Sequence, residues 1–148
     1  MEAIIFTGIQ GSGKSTFYKE YFFNTHIRIS LDLLNTRNKQ NLFLETCFAT
    51  HSKFVVDNTS PTIEDRKLFI DQARARKYKI IGYYFKSTLD DALERNNQRT
   101  GKQRIPEVGV KACYKKIVLP TYQEGFDELY SVEIKDNKFI ISNWQNEV

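Results

Sequence analysis

The sequence is poor in the residues that would take it out of the ordinary globular class. Only two cysteines, Cys47 and Cys113, occur in 148 residues. That is too few for a disulfide framework, and no CxxC spacing offers a metal or redox motif. Both fall in apolar helical patterns and are expected as reduced core thiols, which points to a cytoplasmic protein. The two histidines, His26 and His51, lack partners at metal-ligand or nucleophile spacing, so no zinc site is expected. No apolar run is long enough to span a bilayer. The first apolar run leads into a Gly-rich turn rather than a cleavage site, which argues against a signal peptide. With three prolines and seven glycines there is no evident linker, repeat or low-complexity tract, and one domain over 1–148 is expected. Lys and Arg outnumber Asp and Glu by 22 to 18, a net charge of +4. That balance permits a polyanionic partner without requiring one.

What is present begins with Gly8-Ile9-Gln10-Gly11-Ser12-Gly13-Lys14-Ser15, the G-x-x-x-x-G-K-S phosphate-binding loop, followed by Thr16. Ala3 to Thr7 is a short β-prone run ahead of it, and Ser15 to Phe23 fits a helix behind it. Glycines at 8, 11 and 13 permit positive φ and leave room for an anion against the backbone. Successive N–H groups then curl into a nest, and the following helix adds its positive end. Lys14 suits the β- and γ-phosphates, and the Ser15 hydroxyl suits Mg²⁺. A nucleoside triphosphate, ATP or another NTP, with Mg²⁺ is the expected ligand.

Downstream, strands and helices alternate. Phe17, Tyr18, Tyr21 and Phe22 make an apolar stripe on the first helix. Ile27 to Leu31 reads as strand two, ending near Asp32. A helix fits Asn38 to His51, and Lys53 to Asp57 is strand three. Ser60-Pro61 reads as N-cap and first position of the next helix. Ile80 to Phe85 is strand four. Thr88 caps a fourth helix, with Asp91 placed for a capping-box-like pairing and an inner stripe of Leu89, Ala92, Leu93 and Asn96. The basic stretch Arg99 to Arg104 follows. Helix five carries Val110, Cys113, Tyr114, Ile117 and Val118, and Pro120 stops it. Leu129 to Ile134 and Lys138 to Ser142 suggest a terminal hairpin, with the last few residues frayed. The pattern predicts an α/β fold built around the P-loop: a parallel sheet with helices on both faces, a lid after the fourth helix and a C-terminal hairpin. In such sheets ligands gather at the carboxyl ends of the strands, which would bring together the P-loop, Asp32 and the Asp57-Asn58-Thr59 segment.

Phosphoryl transfer to a hydroxyl needs a carboxylate to orient and deprotonate the acceptor, a metal, and cations for the moving charge. Asp32 is the candidate base, with a helix N-cap carboxylate as the alternative. Asp57 stands where a Walker-B acid would, holding the metal through water or serving an Asx turn. Arg95 and Arg99 share a helix face, and Arg99, Lys102 and Arg104 supply the lid with positive charge.

Four segments, Ile4 to Phe17, Ile29 to Asp32, Phe54 to Ser60 and Leu93 to Pro106, together resemble the 5′-kinase domain of the bacteriophage-type polynucleotide kinase family. The order and spacing hold from Ile4 to about Tyr122. The resemblance implies ATP-dependent phosphorylation of a DNA or RNA 5′-hydroxyl. By position it implies that Gly8, Gln10, Gly11, Ser12, Gly13, Lys14, Ser15, Thr16, Arg95 and Arg99 bind ATP and that Ser15 binds the metal. It further implies Asp32 as general base, Arg99 on the transferring phosphate, and Asp57 and Asn58 near the acceptor. The chain departs from the family at Gln10, often proline there. Leu31 and Leu33 flank Asp32 in place of charged neighbours, and Asn35 lies near where an arginine would hold the acceptor's phosphate. Two other readings use the same scaffold: a kinase of a small hydroxyl metabolite or nucleotide sugar, zeta-toxin-like, and a nucleotide-binding switch or ATPase. The switch lacks a D-x-x-G after strand three. Oligomeric state is not specified by the sequence.

Arg99 provides a first test. Its charge fits the transition state better than bound ATP, so Arg99→Ala should lower kcat by ~10³-fold with little change in ATP KM. Arg99→Lys should not rescue, because a point charge cannot reproduce the planar fork. A rise in KM at constant kcat would show that Arg99 only holds the nucleotide.

Overall fold

A run of residues apolar at every position has to be covered on both faces, and the central strands are of this kind. The structure, a computed structural model describing residues 1–144, forms one six-stranded sheet in the order β2-β3-β1-β4-β5-β6. The strands are β1 (Glu2–Thr7), β2 (Ile27–Ile29), β3 (Phe54–Val56), β4 (Lys79–Phe85), β5 (Glu128–Lys135) and β6 (Lys138–Asn143). The first five run parallel, and β6 returns antiparallel along β5. The turn between β5 and β6 uses Asp136 and Asn137, both at positive φ, so the expected hairpin is present. The fraying expected of the last few residues falls at 145–148, outside the described residues.

Successive side chains of β1 point to opposite faces. Ala3 and Ile5 join Ile29, Phe54, Val56 and Ile80 on one face, under α3 (Arg37–Ala49) and α4 (Ile63–Ala75). Ile4 and Phe6 join Val55, Ile81, Phe85 and Val132 on the other, under Phe17 and Tyr18 of α1 (Lys14–Tyr21) and Phe22 at its C-terminal cap. Phe17 and Phe85 meet edge-on, with ring centroids 5.3 Å apart. Tyr21, expected in this stripe, is exposed. A third, smaller cluster joins Ile9 of the P-loop to Ala92 of α5 (Leu89–Asn97) and to Val110 and Cys113 of α6 (Glu107–Lys116). Both cysteines are free and buried. No helix among the described residues is long and apolar enough to cross a membrane.

Three local expectations are corrected. The cap of α4 is Thr62 rather than Ser60: Thr62 and Asp65 satisfy each other's backbone N–H groups in a full capping box. Ser60 instead takes φ 41° in the turn before it. Strand two is shorter than expected, because the chain leaves β2 after Ile29 and winds into α2 (Leu31–Leu34), a single helical turn. Helix α6 ends at Lys116, ahead of Ile117, Val118 and Pro120. Val118 N–H is instead given to the Pro61 carbonyl across the fold.

Among the described residues one ion pair lies wholly inside. Arg66 of α4 is fully buried, and its Nε and Nη2 reach both carboxylate oxygens of Glu124 at 2.7 and 3.0 Å. Its Nη1 donates to the Ser60 and Pro61 carbonyls. Arg66 thus fixes the end of the segment that follows β3. Removing one partner strands a buried charge, so Arg66→Met or Glu124→Leu alone should cost about 3–5 kcal/mol. The double variant should lose less than the two single losses combined. Chemical denaturation measures this, and strict additivity would show that the pair is not a unit.

Candidate functional site

The sheet brings the expected residues to one edge. The connection after β1 runs outward to β2, while that after β3 crosses β1 to reach β4. The P-loop therefore sits at the central switch point, where open α/β sheets take their ligands. Gly11 and Gly13 adopt φ 80° and 98°, the left-handed conformations the nest needs. Both glycines are also required by packing. A Cβ on Gly11 would lie 2.3 Å from the Ala92 carbonyl oxygen of α5, and one on Gly13 would meet Ile134 and Phe139 of the hairpin. Gly8 N–H is bonded to the Thr59 carbonyl, tying the loop to the segment after β3. Ser12 Oγ and Gln10 Oε1 are buried without a hydrogen-bond partner among the described residues, as polar atoms kept for a ligand would be.

Lys14 lies folded over the loop, its Nζ donating to the Gly8 and Ile9 carbonyls at 2.9 Å each. Burial lowers its pKa to about 8; the Asp57 and Asp32 carboxylates oppose the shift, and Arg99 adds to it. Asp32, Asp57 and Arg99 thus all act electrostatically on one ammonium, although they come from α2, the end of β3 and the lid. Asp32 is exposed on the first turn of α2, and Thr16 is exposed on α1.

Asp57 is buried at the end of β3. Its Oδ2 accepts from Ser15 Oγ at 3.0 Å and from Arg28 Nε at 2.8 Å, while Arg28 Nη2 donates to Ser15 Oγ at 3.2 Å. No trio of His, Cys, Asp or Glu gathers as a metal site among the described residues. Mg²⁺ does not need one, since it is usually held by one or two protein oxygens plus phosphates and water. The Ser15–Asp57 oxygen pair beside the cradle fits that ion.

Asn58 is committed to the scaffold. Its Oδ1 accepts Leu31 N–H and its Nδ2 donates to Gln40 Oε1, both at 2.8 Å. It therefore positions the turn that carries Asp32. Asn96, expected only as part of an inner stripe, is fully buried and clamps the lid: Nδ2 donates to the Ile105 carbonyl and Oδ1 accepts Ile105 N–H. Residues 97–104 span that clamp, with Lys102 and Arg104 exposed and Arg99 half-buried. Arg95 points its Nη1 at the Gly11 carbonyl, 3.4 Å away. Arg28, Gln40 and Asn96 were not singled out for the site. A lone arginine in a three-residue strand and two amides inside helical patterns carry no motif; only the fold gives them partners.

The fold is that of the P-loop kinases. It matches Chaetomium thermophilum Kti12 in complex with ADP-AlF3 at a TM-score of 0.64, with 14% identity and 90% of each chain covered. A gluconokinase from Sinorhizobium meliloti matches at 0.57, with 17% identity over 88% of this chain and 81% of that one. No family model matches the sequence. In sequence the chain is similar to the bifunctional polynucleotide phosphatase/kinase of Schizosaccharomyces pombe, 28% identical over 97% of this chain and 36% of that protein. A putative bifunctional polynucleotide phosphatase/kinase of Acanthamoeba polyphaga mimivirus is also 28% identical, over 96% of this chain and 35% of its own length. The chain thus spans about a third of the curated relatives it matches.

The lowered pKa of Lys14 has a measurable consequence. A polyphosphate favours the protonated ammonium. Below about pH 8 the free protein already carries that proton, and affinity should be level. Above it, binding must take up a proton, and affinity should fall by up to about tenfold per pH unit until the bound-state pKa is reached. Titrating a fluorescent ATP analogue from about pH 7 to about pH 10 should show this break in the wild type and not in Lys14→Met. A wild-type profile without the break would show that burial does not lower the Lys14 ammonium in the free protein.

Proposed function

We propose that this domain is an ATP-dependent kinase that moves the γ-phosphate onto the 5′-hydroxyl of a DNA or RNA end. The observation that carries the reading is the cradle itself: a left-handed nest at Gly11 and Gly13, Lys14 folded over it and the buried Asp57 carboxylate on Ser15, with the exposed Asp32 carboxylate on the turn that Asn58 fixes. The two sequence relatives support a polynucleotide acceptor, since both bear the polynucleotide phosphatase/kinase name.

The roles follow from the chemistry. The nest N–H groups of Gly11 to Ser15, with Ser12 and Gln10, hold the phosphates. Arg95, on the helix packed against Gly11, borders the nucleotide. Lys14 turns from the Gly8 and Ile9 carbonyls to the phosphates, exchanging two neutral acceptors for charged ones. Ser15 and Asp57 would hold Mg²⁺, which would supply positive charge to offset that of the phosphates. Asp32, partly in solvent where an acceptor can reach it, accepts the hydroxyl proton as that oxygen attacks phosphorus in line. Asn58 keeps the Asp32 turn in place. Arg99 stabilises the charge spread over the moving phosphoryl group, and ADP leaves from the cradle.

Asp32→Asn should retain nucleotide binding and lose ~10²–10⁴-fold in transfer, because the amide cannot take the proton. The assay is transfer of labelled γ-phosphate to 5′-hydroxyl DNA, 5′-hydroxyl RNA, nucleoside 3′-monophosphates, gluconate and nucleotide sugars. Oligonucleotides should be the preferred acceptors. Phosphorylation of a sugar with oligonucleotides ignored would replace this reading by that of a metabolite kinase. Unchanged transfer in Asp32→Asn would assign Asp32 to helix capping.

A further inference from the structure

Among the described residues of the site, Arg28 is a cation that the roles above leave unused. It occupies the middle of β2, opposite Val55 of β3, and its side chain reaches over the strand ends to the oxygen pair that suits the metal. Asp57 has 2% side-chain exposure against 26% for Arg28. A carboxylate so little hydrated needs a counter-charge. Arg28 supplies it through Nε on Asp57 Oδ2, and Ser15 Oγ adds a second donor to the same oxygen.

The same contacts obstruct a divalent ion. Ser15 Oγ gives its proton to Asp57 and accepts from Arg28, so one lone pair is taken. A metal on the other lone pair would share its ligand oxygen with a guanidinium nitrogen 3.2 Å from that oxygen. Two like charges at such range, in a partly buried site, repel strongly. A free ion must therefore displace Arg28 with nothing to compensate it. An ion arriving with a triphosphate brings the phosphate oxygens, which can both ligate the metal and receive the released guanidinium.

We propose that Arg28 is a resident counter-cation that competes with the divalent ion for the Ser15–Asp57 oxygens and so makes metal binding contingent on the nucleotide. Arg28 is a positioning residue in this role. The inference rests on the reading of the site as a metal–nucleotide site.

Manganese is a suitable probe, because its free-ion electron spin resonance signal reports binding without turnover. The nucleotide-free wild type should bind Mn²⁺ weakly. Arg28→Gln should bind it at least about tenfold more tightly, and the gain should vanish in Arg28→Gln/Asp57→Asn. A second measurement uses the wild type alone and needs no variant to fold. The Arg28 Nε–H signal in a ¹⁵N-labelled protein should show a carboxylate hydrogen bond in the free state and lose it on addition of Mg²⁺ with ADP. No gain of Mn²⁺ affinity in folded Arg28→Gln, or an Nε–H signal unmoved by Mg²⁺–ADP that does bind, would overturn the proposal and leave the nucleotide site standing. Failure of the wild type to bind ADP at all would overturn the site reading itself.

Discussion

A buried carboxylate at the end of β3 is the constraint around which the site is built. Asp57 has almost no water to solvate it, so its neighbours must do so. Ser15 on α1 and Arg28 on β2 take that role. Because α1 starts within the P-loop, the contact also fixes where the phosphate nest sits relative to the sheet. The loop is held from three further directions: Thr59 bonds Gly8, α5 presses on Gly11, and the β5–β6 hairpin presses on Gly13. A nest so confined has little conformational freedom left to lose when an anion binds, which is how preorganisation favours binding.

The segment after β3 is the second fixed object. Arg66 holds its end through the Ser60 and Pro61 carbonyls and is itself neutralised by Glu124. At its start, Asn58 reaches across to Leu31 and Gln40. The turn carrying Asp32 is thereby attached to a rigid segment through one amide, although the carboxylate stays open to solvent. The lid is attached in a similar way, by Asn96 and Ile105. Two accessible functional groups on short or irregular backbone are each tied down by an amide. An amide can satisfy a donor and an acceptor together without adding charge to an already charged site.

Much of this was legible in the sequence where a residue type has one physical use. Gly11 and Gly13 follow from the loop motif, and the alternating strands and helices imply the sheet with helices on both faces. What was not legible is what depends on partners distant in the chain. Ser60-Pro61 looks like a helix start, but Thr62 with Asp65 forms the better cap, and Ser60 is needed in the turn that meets Arg66. Asp32 looks like the end of a strand, because Ile27 to Leu31 alternates. Asn58 takes the Leu31 N–H and the Ser30 carbonyl accepts the Leu34 N–H, so the chain coils instead. Asn96 looks like one more inward position of a helix, and its amide becomes informative only once Ile105 is beside it. Arg28 carries no motif at all.

The two halves of the site differ in what specifies them. At the P-loop the cradle is mostly backbone N–H groups, and the side chains there are fixed by close packing and by a buried carboxylate. Few substitutions could be absorbed, so any chain that keeps this binding must keep these residue types. On the other side Asn58, the polar side chain that holds the Asp32 turn, is spent on the scaffold. The groups exposed on α2, the start of α3 and the lid include Leu33, Asn35, Arg37 and Lys102. These residues bear little of the fold's packing and can change without unfolding it. A scaffold of this kind can preserve how a phosphate is held while leaving open what receives it.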